Sequence, residues 1–286
     1  MDPVLVTGAA GGSQGSTGRL VAQALLERGH AVRAFVRADD DRAARLRALG
    51  AEVVVGDLRE IADVLPAFGG VRRAFFTYPV TEGLLEAAAA FAAAARRAGV
   101  ERLVEVSQLA AEPDANTHRM RQHWLAEQVF DGAGVGAVHL RAAVFFENLD
   151  VLIRLSGRNV LAAPLGDPGT LVPLVAGADV ARVAAGLLDD PALKPDPVCR
   201  LTGEMLTAGE AAAAFGVPYV DVPPDEWHRD ALRAYGDPDT VRHLSKLWEI
   251  FRFLGPNDHP LYRVTPAIEE YGGRPPLTLR AYASSR

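Results

Sequence analysis

Short apolar runs alternate with longer helix-periodic stretches through the first half of the chain, and a glycine ends most of those stretches. Strands that alternate with helical segments are typical of βαβ units, which build a parallel sheet covered on both faces. The pattern predicts strands at residues 4–6, 31–36, 52–55, 74–77, 103–106 and 135–140, with helices at 19–28, 40–49, 82–98 and 116–130.

The pattern changes after about residue 149, where prolines become frequent and the predicted elements become shorter. Helical spacing is clearest at 177–188, 207–214 and 237–253. No low-complexity linker separates this part from the first half. A region of this kind, following a parallel sheet, usually returns a strand to the sheet and builds a wall over a ligand cleft.

Composition excludes several classes of protein. The 286 residues are 49% hydrophobic and carry a formal net charge of −6, which argues against a nucleic-acid partner because phosphate binding needs concentrated positive charge. The one cysteine, Cys199, allows no intrachain disulfide and is expected to be buried. The most apolar window, 84–95, is shorter than the about 20 residues that span a bilayer. We expect a cytoplasmic protein with no membrane partner and no metal site.

The segment between the first strand and the first helix is the most informative. Its glycines let the backbone approach a pyrophosphate closely, and the following helix N-terminus offers free N–H groups. The spacing Gly12-x-x-Gly15-x-x-Gly18 departs from the strict G-x-G-x-x-G, but its strand–turn–helix context predicts a phosphate site rather than a flexible turn. The candidate ligands are Gly8, Gly11, Gly12, Ser13, Gln14, Gly15, Ser16, Thr17 and Gly18.

The end of the second strand bears on the choice of cofactor. Proteins that bind NAD place an acidic residue there for the ribose hydroxyls, whereas this chain has Arg37, with Arg42 nearby. An arginine pairs with a 2′-phosphate and stacks on adenine, so NADP(H) is the predicted cofactor. The three aspartates at 39–41 complicate this prediction, unless they cap the next helix.

The chain resembles the NmrA-like branch of the atypical short-chain dehydrogenases/reductases over nearly its whole length. The resemblance is carried by VTGAAG at 6–11, GHAVRAFVR at 29–37, GDL at 56–58, LRAAVFFENL at 140–149 and GRPP at 273–276. It implies a Rossmann-type doubly wound parallel sheet in an NAD(P)-binding domain at 1–150 and a smaller substrate-binding region at 151–286 that partly returns to the sheet. It also implies that Asp57 and Leu58 lie beside the adenine, Thr77, Tyr78 and Pro79 beside the ribose and nicotinamide, and Ser107 and Gln108 opposite the nicotinamide.

The proton donor of the larger superfamily is missing. None of the six tyrosines is followed four places later by a lysine, so the Tyr-x-x-x-Lys pair is absent. The helix predicted at 116–130 carries three charged or titratable residues on one face, Arg119, His123 and Glu127. His123, which by the resemblance takes roughly the place of the lysine, is either a proton donor paired with Glu127 or part of a surface His–Glu pair. Tyr78 and Ser107 are the other candidate catalytic residues.

The predicted substrate wall is aromatic and apolar, with Trp124, Phe145, Phe146 and Asn148 as candidates. Such a cleft suits a small, largely apolar molecule. The resemblance therefore implies an oxidoreductase that transfers hydride from NADPH to a quinone, imine or activated double bond. A non-catalytic NAD(P)-binding sensor and a non-redox isomerase or cyclase are the alternatives, and a homodimer is possible.

Overall fold

In the computed structural model, which describes residues 2–12, 15–254 and 260–286, strands and helices alternate through the first half of the chain. The elements are β1 (Val4–Thr7), α1 (Thr17–Glu27), β2 (Val32–Val36), α2 (Asp41–Ala48), β3 (Glu52–Val55), α3 (Ile61–Ala67), β4 (Arg73–Phe76), α4 (Leu84–Ala98), β5 (Arg102–Gln108), α5 (His118–Ala133) and β6 (Ala137–Ala142).

The second half is more mixed, with short strands between helices. It contains β7 (Val144–Phe145), α6 (Phe146–Ser156), β8 (Leu161–Ala163), β9 (Leu171–Val175), α7 (Gly177–Asp189), β10 (Val198–Leu201), β11 (Glu204–Thr207), α8 (Ala208–Ala214), β12 (Tyr219–Asp221), α9 (Pro224–Tyr235), α10 (Pro238–Leu254), a 3-10 turn (Pro260–Tyr262), α11 (Ala267–Gly272) and α12 (Leu279–Ser284). In the described part of the chain, no helix combines the length and apolar character needed to cross a membrane.

Seven parallel strands form the central sheet in the order β10-β6-β5-β4-β1-β2-β3. The predicted α/β class with a Rossmann-type parallel sheet is confirmed. The chain runs outward from β1 in one direction through β2 and β3, and in the other through β4, β5 and β6. In open α/β sheets, ligands bind beyond the carboxyl ends of the strands at the point where this direction reverses. That point lies between β1 and β4.

Two helical layers cover the sheet. Helices α1 and α7 pack on one face, with α11 against α7, and helices α4 and α5 pack on the other. A third cluster of buried side chains, which includes Trp227 and Trp248, fills the C-terminal region. Cys199 is buried in β10, as predicted.

Five helices of the described residues lie where the sequence predicted none: α3, α6, α9, α11 and α12. Helix α3 lies between β3 and β4, where no helix was predicted. It has seven residues and contains Pro66, which removes an internal hydrogen bond, so its apolar spacing is too short and too interrupted to stand out.

Candidate functional site

The glycine-rich segment after β1 makes a sharp turn into α1. Gly8 has a φ of +65°, and an added Cβ there would meet Thr77 Cγ2 at 2.6 Å. Gly18 lies so close to the end of β1 that its Cβ would sit 2.4 Å from the Thr7 carbonyl oxygen. Gly8 is favoured by its positive φ and by the close Thr77 side chain, whereas a side chain at Gly18 would push α1 away from β1.

An additional turn lies within the same segment. Gly12 and Gly15 donate backbone hydrogen bonds to each other's carbonyls at 2.9 and 3.3 Å. An added Cβ at either position would meet no atom of the described residues within 4 Å. Close packing therefore comes from Gly8 and Gly18, whereas Gly12 and Gly15 close the extra turn that lengthens the loop. Ser13 and Gln14, two of the predicted phosphate ligands, lie outside the described residues.

A cavity of about 1380 Å³ opens above the carboxyl ends of the sheet strands. Its wall begins at the glycine loop, follows the ends of β2 to β5 and finishes on α6 and α10. Each predicted cofactor-binding residue that the structure describes lines this cavity: Gly8, Gly11, Gly12, Gly15, Ser16, Thr17, Gly18, Arg37, Asp57, Leu58, Thr77, Tyr78, Pro79, Ser107 and Gln108.

Arginines and an aspartate meet at the ends of β2 and β3. The Arg37 side chain is 78% exposed, and its Nη2 lies 3.9 Å from Asp57 Oδ2. Arg59 donates to the same oxygen at 2.6 Å, and this hydrogen bond lowers the pKa of Asp57 to about 2. Because Arg59 already neutralises Asp57, the exposed guanidinium of Arg37 can face a phosphate from the cavity.

Helix α2 accounts for two of the aspartates that follow β2. Asp40 is its N-cap and accepts from the backbone N–H of Arg42, as the capping alternative predicted. Asp39 pairs with Arg47 at 2.6 Å. The Arg42 side chain reaches back and donates to the Gly11 carbonyl at 3.1 Å, which ties α2 to the glycine loop.

Ser107, at the end of β5, is bound to a buried ion pair. Its Oγ donates to Glu127 Oε1 at 2.5 Å, and Arg141 donates to both oxygens of that carboxylate at 2.9 and 2.6 Å. A carboxylate held by a guanidinium keeps its negative charge, so the Ser107 hydrogen points at Glu127. Its oxygen lone pairs remain for a ligand. Ser107 is therefore arranged to accept a hydrogen bond, and it is poorly arranged to give up a proton.

His123 lies on the cavity wall, but no carboxylate among the described residues pairs with it. Glu127, one turn further along α5, is occupied by Arg141 and Ser107. The predicted His123–Glu127 pair is wrong, and the surface-pair alternative is also wrong because both residues are buried. Burial, followed by the charge of Arg119, holds the pKa of His123 well below its usual value, so the imidazole is neutral near pH 7.

Tyr78 also has its hydroxyl engaged. Its OH donates to the Glu82 carbonyl at 3.0 Å. Burial raises the pKa of the Tyr78 phenol, so it remains protonated at neutral pH. Tyr78 lines the cavity as predicted, but its proton is directed toward the backbone.

Helix α10 brings a second histidine that the sequence analysis did not single out. The Nε2 of His243 lies 3.0 Å from Gln108 Nε2, and its Nδ1 lies 3.2 Å from Thr117 Oγ1. Burial and then the charge of Arg119 lower the pKa of His243 to about 3. The cavity-lining residues 240, 243, 244 and 247 recur at helical spacing along α10, which is the signal that could have identified this face.

The cavity lining includes two of the four residues predicted for the substrate wall. Phe145 and Asn148 line the cavity. Phe146 does not, because it is fully buried and packs against the ring of Tyr282 at 5.6 Å. Trp124 does not line it either, since it lies half-buried on a different side of α5 from His123.

A buried acid–base cluster lies below Ser107 between α5 and the sheet. His139 Nδ1 is 2.5 Å from Glu105 Oε1, and its Nε2 is 3.1 Å from Asp131 Oδ1. The potential metal-ligand atoms of Glu105, Glu127 and His139 lie within 4.8 Å of one another. The spacing of these residues in the sequence did not indicate this cluster. Because Arg141 already occupies Glu127 and two carboxylates occupy His139, the cluster is a hydrogen-bonded ion-pair network rather than an open set of metal ligands.

Comparison with known proteins agrees with this architecture. Residues 2–219 match the family described as the NmrA-like family. The chain belongs to the NmrA-like family. A curated relative, the NAD(P)H azoreductase of Xenophilus azovorans, is 28% identical over 283 residues, which cover 96% of each chain.

Solved structures of the same fold include reductases and a regulator. An NADPH-dependent quinone oxidoreductase from Escherichia coli, solved with NADPH, has a TM-score of 0.80 at 22% identity, covering 99% of both chains. A triphenylmethane reductase from Citrobacter, solved with NADP(H), has a TM-score of 0.80 at 19% identity, again covering 99% of both chains. NmrA, a negative transcriptional regulator, has a TM-score of 0.75 at 18% identity, covering 99% of this chain and 95% of its own.

Proposed function

We propose that this protein is an NADPH-dependent reductase acting on a small, flat and largely apolar acceptor such as a quinone, an azo compound, an imine or an activated double bond. The observation that carries the proposal is the continuity of the cavity. It runs without interruption from a glycine loop to a wall of apolar side chains on α6 and α10. The cavity volume of about 1380 Å³ exceeds the roughly 300–1,000 Å³ of a single small-molecule site. The cavity is therefore large enough to hold a cofactor and a substrate at the same time.

The residues present fit a dinucleotide. The cradle at Gly8 and Gly18 admits no Cβ, and the N-terminus of α1 faces the cavity at Thr17. Arg37 would hold the 2′-phosphate, and Arg42 already fixes the loop that would hold the pyrophosphate. When bound, NADPH supplies the hydride. Ser107 would accept a hydrogen bond from an N–H or O–H group of a bound molecule, and Phe145 would exclude water beside the acceptor.

The class of acceptor can be inferred from the lack of a side chain arranged to donate a proton among the described cavity residues. The chain has no Tyr-x-x-x-Lys pair, Ser107 and Tyr78 direct their hydrogens at the protein, and His123 is neutral. A site of this kind suits acceptors that need little proton donation as the hydride arrives. The names of the azoreductase relative and of the quinone and dye reductase neighbours agree with such acceptors.

The test is cofactor oxidation followed by absorbance at the nicotinamide band, with a panel of quinones, azo compounds, imines and enones. We expect turnover with at least one of them. Gly18→Ala, which disrupts the cradle, should lose most of its activity at limiting NADPH, and Gly132→Ala, which lies on the exposed side of α5 away from the cavity, should resemble the wild type. NADPH binding without turnover of any member would contradict the reductase proposal.

The second candidate is a dinucleotide sensor, because NmrA, a negative transcriptional regulator, shares the fold. A sensor would leave the panel unreduced and bind the oxidised and reduced cofactors with clearly different affinities. Equal affinities together with turnover would exclude it.

A further inference from the structure

Arg119, in the first turn of α5, is a buried arginine. The residue is 2% exposed, and no carboxylate oxygen of the described residues lies within 4.0 Å of its nitrogens. Nη1 and Nη2 donate to the carbonyls of Thr81 and Pro79 at 2.9 and 2.6 Å, and Nε has no hydrogen-bond partner within the described part of the chain. Burying an unpaired cation is costly. A neutral side chain could donate to the two carbonyls at a lower desolvation cost. The buried positive charge is therefore not explained by these hydrogen bonds alone.

The charge lies directly behind the cavity wall. The two carbonyls belong to residues 79–81, which line the cavity, whereas Arg119 itself lines a smaller neighbouring cavity. The guanidinium therefore contacts the wall of the large cavity through this loop. Thr240, in the first turn of α10, donates to the Val80 carbonyl between them. The N-termini of α5 and α10 therefore meet at one loop, and each adds partial positive charge.

Acidic groups lie on both sides of Arg119. Asp237 lines the large cavity and accepts from the backbone N–H of Asp239, whose side chain accepts from Arg242. Glu82 and Glu86 are exposed and line a smaller polar cavity that Arg119 also lines. Burial lowers the pKa of Arg119 to about 10 and outweighs the charges of Asp239 and Asp237, which raise it. None of these carboxylates, all within the described residues, forms an ion pair with Arg119, so its charge can still act on a molecule in the large cavity.

The cavity side chains respond to this charge. After burial, the charge of Arg119 is the next cause that lowers the pKa of both His123 and His243. His123 lies one helical turn beyond Arg119 and lines the cavity, and its buried Nδ1 finds no hydrogen-bond partner in the described parts of the chain. A neutral imidazole can still donate one N–H hydrogen bond to a bound molecule.

We propose, building on the reductase function above, that Arg119 stabilises the negative charge that the acceptor gains and that neutral His123 donates an N–H hydrogen bond to the atom carrying it. An acceptor that takes up a hydride forms one new bond to hydrogen and gains one negative charge. A proton from water then completes the reduction. Charge stabilisation of this kind replaces the proton donor of the larger superfamily.

The proposal narrows the substrate class. Quinones and azo compounds give anions that are delocalised over conjugated atoms, so a buried cation and one hydrogen bond suffice to stabilise them. A simple ketone or aldehyde gives a localised alkoxide, which needs a proton as it forms. We therefore expect the wild type to reduce the conjugated acceptors and to leave simple carbonyls unreduced.

The test compares Arg119→Met, which keeps the length and removes the charge, with Arg119→Lys, which keeps the charge. Arg97→Met, on the exposed side of α4, is the control. Imidazole resonances are titrated by NMR without acceptor or cofactor. In Arg119→Met the pKa values of His123 and His243 should rise by about one pKa unit, and in Arg119→Lys they should stay low.

The kinetic arm uses a quinone that the wild type reduces. Removing the charge should lower kcat about 10- to 100-fold while NADPH affinity is retained, and Arg119→Lys should recover most of the rate. Thermal denaturation reports folding, and Arg119→Gln, which keeps a donor for the loop, replaces Arg119→Met if that variant does not fold.

Three results would overturn the proposal: unchanged histidine pKa values in a folded neutral variant, an unchanged kcat, or wild-type reduction of simple ketones as fast as quinones. The NMR and kinetic experiments also distinguish failure of the reductase proposal from failure of the proposed role of Arg119. If the wild type binds no NADPH and reduces nothing, the reductase function fails, and the NMR titration still decides whether the charge of Arg119 reaches the cavity.

Discussion

Replacing Gly18 by alanine tests the phosphate cradle most directly. The new Cβ would lie 2.4 Å from the Thr7 carbonyl oxygen and 2.6 and 2.7 Å from the carbonyl carbon and oxygen of Gly8. Ordinary contact begins at 3.4 Å, so the start of α1 must move by about 1 Å, and every obstructing atom belongs to the backbone. Overpacking of this kind costs about 1–3 kcal/mol of folding stability.

The movement also displaces the N–H groups that would face the pyrophosphate. We expect NADPH affinity to fall more than about tenfold, since one tenfold step corresponds to only about 1.4 kcal/mol. Melting temperature should fall by about 2–4 °C for each kcal/mol lost. Fluorescence titration with NADPH and thermal denaturation measure the two effects.

Gly132→Ala is the matched control, because Gly132 is exposed in α5, does not line the cavity and has no described atom within 4 Å of an added Cβ. Its stability should equal or exceed that of the wild type, since alanine is favoured over glycine within a helix. If Gly18→Ala binds NADPH as well as Gly132→Ala does, the close approach of α1 to β1 is not what builds the cofactor site.

Three further outcomes are expected. Arg37→Ala should weaken NADPH binding by about 1.5–3 kcal/mol and leave NADH nearly unchanged, as measured by titrating both cofactors; equal wild-type affinities for the two would refute the role of Arg37. Ser107→Ala should weaken ligands that present an N–H more than analogues lacking that donor, and equal losses would show that the oxygen does not face the ligand. Against the effect of burial, the hydrogen bond that His139 donates to Glu105 raises the pKa of His139 from 6.5 to about 9, so the folded state favours the charged imidazole. Its stabilising contribution is present below pH 6.5 and is lost as pH rises toward 9, and melting temperature should fall over that range less steeply in His139→Gln.

The parallel sheet could be predicted because its strands are buried on both faces and read as apolar runs. The ends of several helices could be predicted because glycines such as Gly29, Gly50 and Gly99 adopt positive φ there. The strand-end residues of the cavity could also be predicted, since parallel topology gathers the carboxyl ends at one edge.

What could not be predicted depends on contacts that are distant in sequence or on burial of charge. Gln108 meets His243 across 135 positions, a separation that no local pattern encodes. A charged helix face usually indicates solvent, and α5 presents Arg119 and Glu127 inward instead. Their burial depends on partners from other elements, Arg141 on β6 and the loop after β4.

The last strand of the central sheet bears on how this protein could be re-engineered. Strand β10 pairs with β6 in parallel, and α7 packs beside α1 on the face of the sheet, although both come from the second half of the chain. A chimera made by exchanging everything after residue 150 would exchange an edge of the nucleotide-binding sheet together with the substrate wall. A grafted acceptor site would keep the parent sheet intact only if the exchanged segments were limited to α6, α9 and α10.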